Sequence, residues 1–170
     1  MDLHTTEEYK IQVFIEIAKN SNIKYEYDKN LSTLICDRVL HTPFKYLFNY
    51  GFVPNTLSKD GDPLDVIVLM DDELIPGCLI NCKIIGCLET SDDEGEDPKI
   101  IAFPCSKVDP TYKSINDIDG IYPHTLEKIR FFFTHYKDLE NKKVIIGNLL
   151  NKEKAIEIYK DSVQNFVNNV

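Results

Sequence analysis

Asp60, Asp62 and Asp65 fall in one short stretch: Asp60, Gly61, Asp62, Pro63, Leu64, Asp65, Val66. An apolar run over residues 66–70 follows at once. A strand entering a core should not begin with three unpaired anions. Packed like charges raise one another's pKa values and cost stability unless a cation neutralises them. Gly61 admits positive φ, and Pro63 fixes φ and lacks an N–H donor, so a bent backbone would let the carboxylates converge. Oxygen ligands on a tight turn suit Mg²⁺ or Mn²⁺. The alternative is a solvated acidic turn, since Asp, Gly and Pro are ordinary turn residues. An EF-hand loop fits poorly: counting from Asp60, Leu64 stands where a ligand is needed and Asp65 where the sharp turn needs Gly.

A second acidic cluster, Asp92, Asp93, Glu94, Gly95, Glu96 and Asp97, is followed by Lys99. Such a run is commonly a solvated loop, but this one leads straight into the apolar residues 100–103. That puts Asp97 and Lys99 near a strand mouth and supplies carboxylates that could share metals with the first group. Glu16 and Glu26 lie inside strand-like segments, and Glu26 shares a face with Lys24. Lys24 and Glu26 point to solvent unless that face lines a cavity, where Lys24 would hold phosphate and Glu26 a metal or water. Arg38 forms either a surface ion pair with Asp37 or a planar fork for phosphate. Phe44, Tyr46, Phe48, Tyr50 and Phe52 alternate as core residues do, yet a phenol O–H also binds anions. Tyr136 and Lys137 close a helix beside His135, where a cation is favoured in any case. Taken together, two carboxylate clusters and a set of Lys, Arg and Tyr donors are equipment for metal-assisted phosphoryl transfer to water.

The elements that must position these groups are short and strand-rich. Residues 12–17, 24–27, 34–37, 53–57, 66–70, 79–88 and 100–104 read as strands, with the acidic run 91–97 as a loop between two of them. From Pro123 the spacing of Leu126, Ile129, Phe133 and Tyr136 predicts a helix. Residues 143–150 read as one more strand. Ala155, Ile156, Tyr159, Val163 and Phe166 mark a C-terminal helix that Asn151 could cap. The pattern is a strand-rich α+β domain covering residues 1–170, with no repeat or linker.

The chain has 170 residues, enough for one real core, and is 43% hydrophobic and 11% aromatic. Nineteen Lys and Arg against 28 Asp and Glu give a formal charge of -9. So acidic a chain is a poor non-specific ligand for nucleic acid. No apolar run approaches the roughly 20 residues of a membrane span, and residues 1–10 are polar, without a signal-peptide apolar region. The five cysteines, an odd number mostly in apolar segments, read as buried thiols of a reducing, cytoplasmic compartment.

DGDPLDV together with VFIEI, KYEYDK, DR, YLFNYGFVPNTL, DDEGEDPK and HYKDLE, in this order, resembles the soluble inorganic pyrophosphatases of family I, in their short, bacterial-type form. The resemblance covers residues 13–166. It implies a small twisted five-stranded OB-like β-barrel with two principal helices packed outside, and Mg²⁺-dependent hydrolysis of pyrophosphate to two orthophosphates. Mn²⁺ would be a possible substitute and Ca²⁺ an inhibitor. By the same resemblance Asp65 bridges two metals, with Asp60 and Asp97 completing the first site. Asp92 and Asp97 hold a further metal, and Glu26 acts on another through water. Asp62 accepts the proton of the attacking water, and Glu16 belongs to the surrounding hydrogen-bond network. Lys24, Arg38, Tyr50, Lys99, Tyr136 and Lys137 bind pyrophosphate, and Tyr46 matches a second site tyrosine.

Departures from the family pattern are Leu47 and Phe48 before Asn49, Asp93 where many members have Glu, and Pro98 before Lys99. A homo-oligomer is implied, with no membrane or nucleic-acid partner. His135 matches a histidine found at a subunit contact in some relatives, while Phe131 stands where another His occurs, so the hexameric form stays open. Two other readings remain open: a phosphohydrolase acting on nucleoside polyphosphates, and a cation- or partner-binding barrel without activity.

Overall fold

In β1 (Lys10–Ile17), Ile11, Val13, Ile15 and Ile17 are buried, the period-two pattern of a strand with one face in a core. β2 (Ile23–Asp28) and β3 (Thr33–Val39) form a separate antiparallel hairpin. Then come β4 (Asn49–Phe52), β5 (Asp65–Val68), β6 (Leu79–Asp92), β7 (Gly95–Glu96) and β8 (Lys99–Pro104). The helix α1 (Pro123–His135), β9 (Ile145–Leu150) and the helix α2 (Lys152–Asn168) complete the order. The computed structural model describes residues 7–170, so the first six residues of the polar stretch 1–10 lie outside the described residues.

Five strands pair in the order β1, β4, β5, β8, β6, and β6 pairs back to β1, which closes the ring. With two helices outside it, this is the mainly β architecture expected from the sequence. Side chains of β5 and β8 divide between two cores. Val66, Val68, Ile100 and Ala102 join one with Ala155 of α2, and Ile67, Ile101 and Phe103 join the other with Ile129, Phe132 and Phe133 of α1. Burial of both faces explains why these strands read as unbroken apolar runs. Among the described residues no helix is long and apolar enough to cross a membrane.

Two strand expectations need correction. Residues 53–57 are not a strand; the strand is Asn49–Phe52, just before them. Pro54 cannot donate to a ladder, and Asn55 turns the chain with φ +60°. Thr56 Oγ1 donates to the Val53 carbonyl (2.6 Å) and accepts from the Leu64 N–H (2.9 Å), fastening the turn. The acidic run 91–97 is a hairpin rather than a loop between strands. β6 extends to Asp92 and β7 returns along it, with Gly95 at φ +122°.

The thiols also divide: Cys82, Cys87 and Cys105 are buried, Cys78 is half-buried, and Cys36 is exposed on β3. The Asn151 cap is present, its side chain accepting from the Lys154 N–H at 3.0 Å.

β4 crosses β1 so closely that only glycine fits at position 51. A Cβ there would lie 1.8 Å from the Phe14 carbonyl oxygen. In the same strand pair the register passes from Ile15 opposite Gly51 to Ile17 opposite Tyr50, so Glu16 is an extra residue. The β2–β3 register likewise skips Asp37, beside Arg38. Bulges of this kind re-aim side chains next to functional sites.

Candidate active site

β5 and β8 run parallel with Asp65 opposite Lys99. Side chains at partnered positions share a face of the sheet, and here that face lies beneath α1. Lys99 is only 3% exposed. Its ammonium donates to Asp65 Oδ2 (3.0 Å), Asp97 Oδ2 (2.9 Å) and the Tyr50 hydroxyl (2.8 Å), which uses all three donors. The Phe133 ring centroid lies 5.3 Å from Nζ. Burial alone would depress the Lys99 pKa, but Asp65, Tyr50 and Asp97 outweigh it and hold it well above the usual lysine value.

The carboxylates around this node titrate abnormally. Burial, reinforced by Asp97, pushes Asp65 up to about 6 despite Lys99. Asp97 is held below the usual range, because Lys99 overcomes its own burial. Burial and then the nearby Asp97, Asp62 and Asp65 raise Asp60 to about 7, against the Asp62 N–H that it accepts at 3.0 Å. Asp62 is raised by burial and by Glu94, Asp97 and Glu26. Gly61, at φ +90°, makes the turn that places these two carboxylates. Glu16, re-aimed by its bulge, accepts the Tyr27 N–H at 2.8 Å, yet burial lifts it to about 8, helped by Asp65 and Glu26.

Cations face this acidic group from two other elements. On the hairpin, Lys24 stands opposite Arg38, and Lys24 Nζ lies 2.9 Å from Glu26 Oε1. Arg38 Nη1 donates to Asp37. At the end of α1, burial lowers the Lys137 pKa, and Lys24, Arg38 and Lys99 lower it further. Burial raises Tyr136 to about 12 and Tyr50 and Tyr46 well above 10, so all three phenols remain O–H donors near neutral pH.

Every residue to which the family resemblance gave a catalytic, substrate or metal role lines one cavity of about 730 Å³: Glu16, Lys24, Glu26, Arg38, Tyr50, Asp60, Asp62, Asp65, Asp92, Asp97, Lys99, Tyr136 and Lys137. Lys24 and Glu26 therefore line the cavity, although the Glu26 side chain is still 53% exposed to solvent. Tyr46 lines it too, as do Lys29, Lys142 and Lys143 at positions the sequence did not mark. Those lysines carry no signal beyond charge, which is common on any surface.

The donor set fits a hard divalent cation. Several carboxylates share the cavity, and burial together with mutual repulsion raises four of them, Glu16, Asp60, Asp62 and Asp65. A cation would relieve this repulsion. Among the described residues no three His, Cys, Asp or Glu side chains close on one point that could hold an ion. Mg²⁺ does not require that, since it keeps several waters and takes only one or two carboxylates.

Carboxylates opposed to Lys, Arg and phenol donors across one polar cavity are the equipment of a metal-assisted phosphoryl-transfer enzyme. The family profile described as inorganic pyrophosphatase matches residues 13–167. The chain belongs to that family of enzymes. It is similar to the inorganic pyrophosphatase of Helicobacter pylori strain 26695, at 48% identity over 153 residues, 89% of this chain and 88% of that one. It is also similar to that of Saccharolobus solfataricus, at 47% identity over 156 residues, covering 91% of each. A solved structure of the Helicobacter pylori enzyme superimposes with a TM-score of 0.91 at 44% identity, covering 98% of both chains.

Proposed function

We propose that this protein hydrolyses inorganic pyrophosphate to two orthophosphates, with Mg²⁺ as its cofactor. The observation that carries the reading is the Lys99 node: one buried ammonium joins Asp65, Asp97 and Tyr50 where the acidic and basic walls of the cavity meet. Asp60, Asp65, Asp92, Asp97 and, through water, Glu26 are the groups that would hold the metal ions. Bound there, Mg²⁺ would supply charge neutralisation and a lower pKa for the attacking water.

The chain's own residues do the rest. Asp62, whose carboxylate is made more basic by burial and by Glu94 and Asp97, takes the proton of the attacking water. Water oxygen bonds to one phosphorus, the bridging P–O bond breaks, and the second phosphate leaves. Lys24, Arg38, Lys137 and the phenols of Tyr50 and Tyr136 bind the substrate and stabilise charge on the leaving phosphate. Lys99 keeps Asp65 and Asp97 in place and would reach the same anion by releasing one of the three acceptors it now holds. Glu16 orients the hairpin through the Tyr27 N–H.

The test is orthophosphate release from pyrophosphate by the purified protein, with Mg²⁺, with Mn²⁺, without metal, and with Mg²⁺ plus Ca²⁺. Release that requires Mg²⁺, persists in part with Mn²⁺ and falls with Ca²⁺ supports the assignment. A parallel assay with ATP separates pyrophosphate from nucleoside polyphosphates; faster turnover of ATP would replace the substrate named here.

The free thiols are consistent with a cytoplasmic setting. Pairing of β9, from the last third of the chain, with β6 supports a single-domain reading of residues 1–170. A homo-oligomer is supported by an apolar groove that includes Phe44, Leu47 and Phe131, the last 59% exposed. Light scattering at micromolar concentration tests it, and a monomeric mass would refute it.

A further inference from the structure

Glu140 belongs to none of the groups assigned above, yet its carboxylate is only 6% exposed. It sits on a 3-10 turn, Asp138–Glu140, directly after Tyr136 and Lys137. Its Oε1 lies 2.8 Å from Arg38 Nε, an ion pair in which the N–H is not aimed at the oxygen. Arg38 Nη2 and Glu140 Oε2 are likewise buried and have no hydrogen-bond partner. Nε and Nη2 form one edge of a guanidinium, the edge that matches the two oxygens of a carboxylate. Nη1, on another edge, pairs with Asp37, which lines the cavity as Arg38 does.

We propose that Glu140 is a positioning residue for Arg38. It engages the Nε and Nη2 edge of the guanidinium, so that Nη1 is the end offered to the phosphate.

Three arguments support this. A buried carboxylate beside a buried guanidinium costs several kcal/mol to desolvate unless the two pair well, so their adjacency is unfavourable without a closer fork. A small rotation converts the single 2.8 Å contact into that fork and satisfies all three orphaned atoms, Arg38 Nε and Nη2 and Glu140 Oε2. The β2–β3 hairpin lies outside the closed ring; Glu16 fastens it near its turn, at the Tyr27 N–H, which leaves the Lys24–Arg38 end to be held by another contact. The Arg38–Glu140 pair ties the hairpin to the turn that follows Tyr136 and Lys137.

The inference rests on the pyrophosphatase reading, and the experiment keeps the two apart. Wild type, Glu140→Gln, Arg38→Gln and the double variant are compared for steady-state hydrolysis and, by calorimetry, for binding of the non-hydrolysable methylenediphosphonate. Glu140→Gln is expected to lower kcat/KM by about tenfold to a hundredfold, the scale of a misplaced binding group, and to weaken diphosphonate binding. In the Arg38→Gln background the same change should have no further effect. Unchanged diphosphonate affinity in a folded Glu140→Gln protein overturns the proposal, as does an equal loss in the Arg38→Gln background. If Glu140→Gln does not fold, Glu140→Asp, with the charge kept and the reach shortened, decides by the same two criteria. A wild type that cannot cleave pyrophosphate but shows the coupled loss of diphosphonate binding sinks the hydrolytic reading and leaves the role of Glu140 standing.

Discussion

Lys99 and Asp65 are direct neighbours across the parallel β5–β8 pair, and their side chains meet at 3.0 Å under the aromatic face of α1. Asp97 joins the same ammonium at 2.9 Å. The buried cation thus offsets part of the repulsion between two carboxylates that the proposed metals must also share.

Removing the cation exposes that dependence. Lys99→Met leaves Asp65 and Asp97 without their counter-charge, and breaking a buried pair in this way costs about 3–5 kcal/mol. Thermal unfolding should show a large loss, partly recovered by Mg²⁺, and turnover should collapse. A variant as stable as wild type in chelator would show that Lys99 does not hold the carboxylates.

Asp65 and Asp62 are expected to separate metal binding from proton transfer. Asp65→Asn should lose turnover and Mg²⁺ affinity together. Asp62→Asn should lose turnover by about a hundredfold or more, the size of a general-base contribution, while calorimetry still detects Mg²⁺. Near wild-type turnover in Asp62→Asn would remove it as the base.

Lys137→Ala tests the far wall of the cavity. The KM for pyrophosphate should rise, because a partly desolvated ammonium lining the cavity is lost. Unchanged KM and kcat would take Lys137 out of the site.

The metal-free protein should lose stability as pH rises. Folded-state values of about 8 for Glu16, about 7 for Asp60 and about 6 for Asp65 lie above those of ordinary carboxyls, chiefly because of burial. The folded state therefore binds these protons more tightly than the unfolded one. Their contribution is complete below the ordinary carboxyl range and is lost as pH climbs through the folded-state values, about 6 to 8. Asp97, held low by Lys99, acts in the opposite sense, but only at acid pH. Melting temperatures in chelator should fall between about pH 5 and 8, and Mg²⁺ should flatten the decline. A melting temperature that rises with pH over this window would contradict the assignment.

Gly51→Ala places a methyl group 1.8 Å from the Phe14 carbonyl oxygen. Backbone cannot yield as a flexible side chain can, so the cost should reach or exceed the roughly 3 kcal/mol of severe overpacking. Urea denaturation measures it directly, and a midpoint within error of wild type would mean that β1 and β4 do not cross this closely.

Much of the fold is legible in the chain because it is written in local pattern. Alternation in residues 12–17 and unbroken apolar runs at residues 66–70 and 100–103 mark strands whether one face or both are buried. The strand at Asn49–Phe52 escapes such reading because its aromatic and small residues fit either a strand or a turn. The left-handed conformation of Asn55, which turns the chain just beyond that strand, is a backbone state that residue type only hints at. Glu140 is hidden for another reason: nothing in its neighbourhood along the chain signals that a remote arginine needs a partner.

By itself the sequence determined which chemistry was available: carboxylates at close spacing, cations and phenols in a set order, and a glycine and a proline to bend the Asp60–Asp65 turn. Those are properties of residue type and near neighbours, and they survive without a fold. Only the tertiary structure decided that Lys99 neutralises Asp65 and Asp97, that a bulge re-aims Glu16, and that Glu140 reaches the guanidinium. Each of these depends on strand register or on contact between segments far apart in the chain, and burial and distance, which set the charges' energies, exist only once those segments have met.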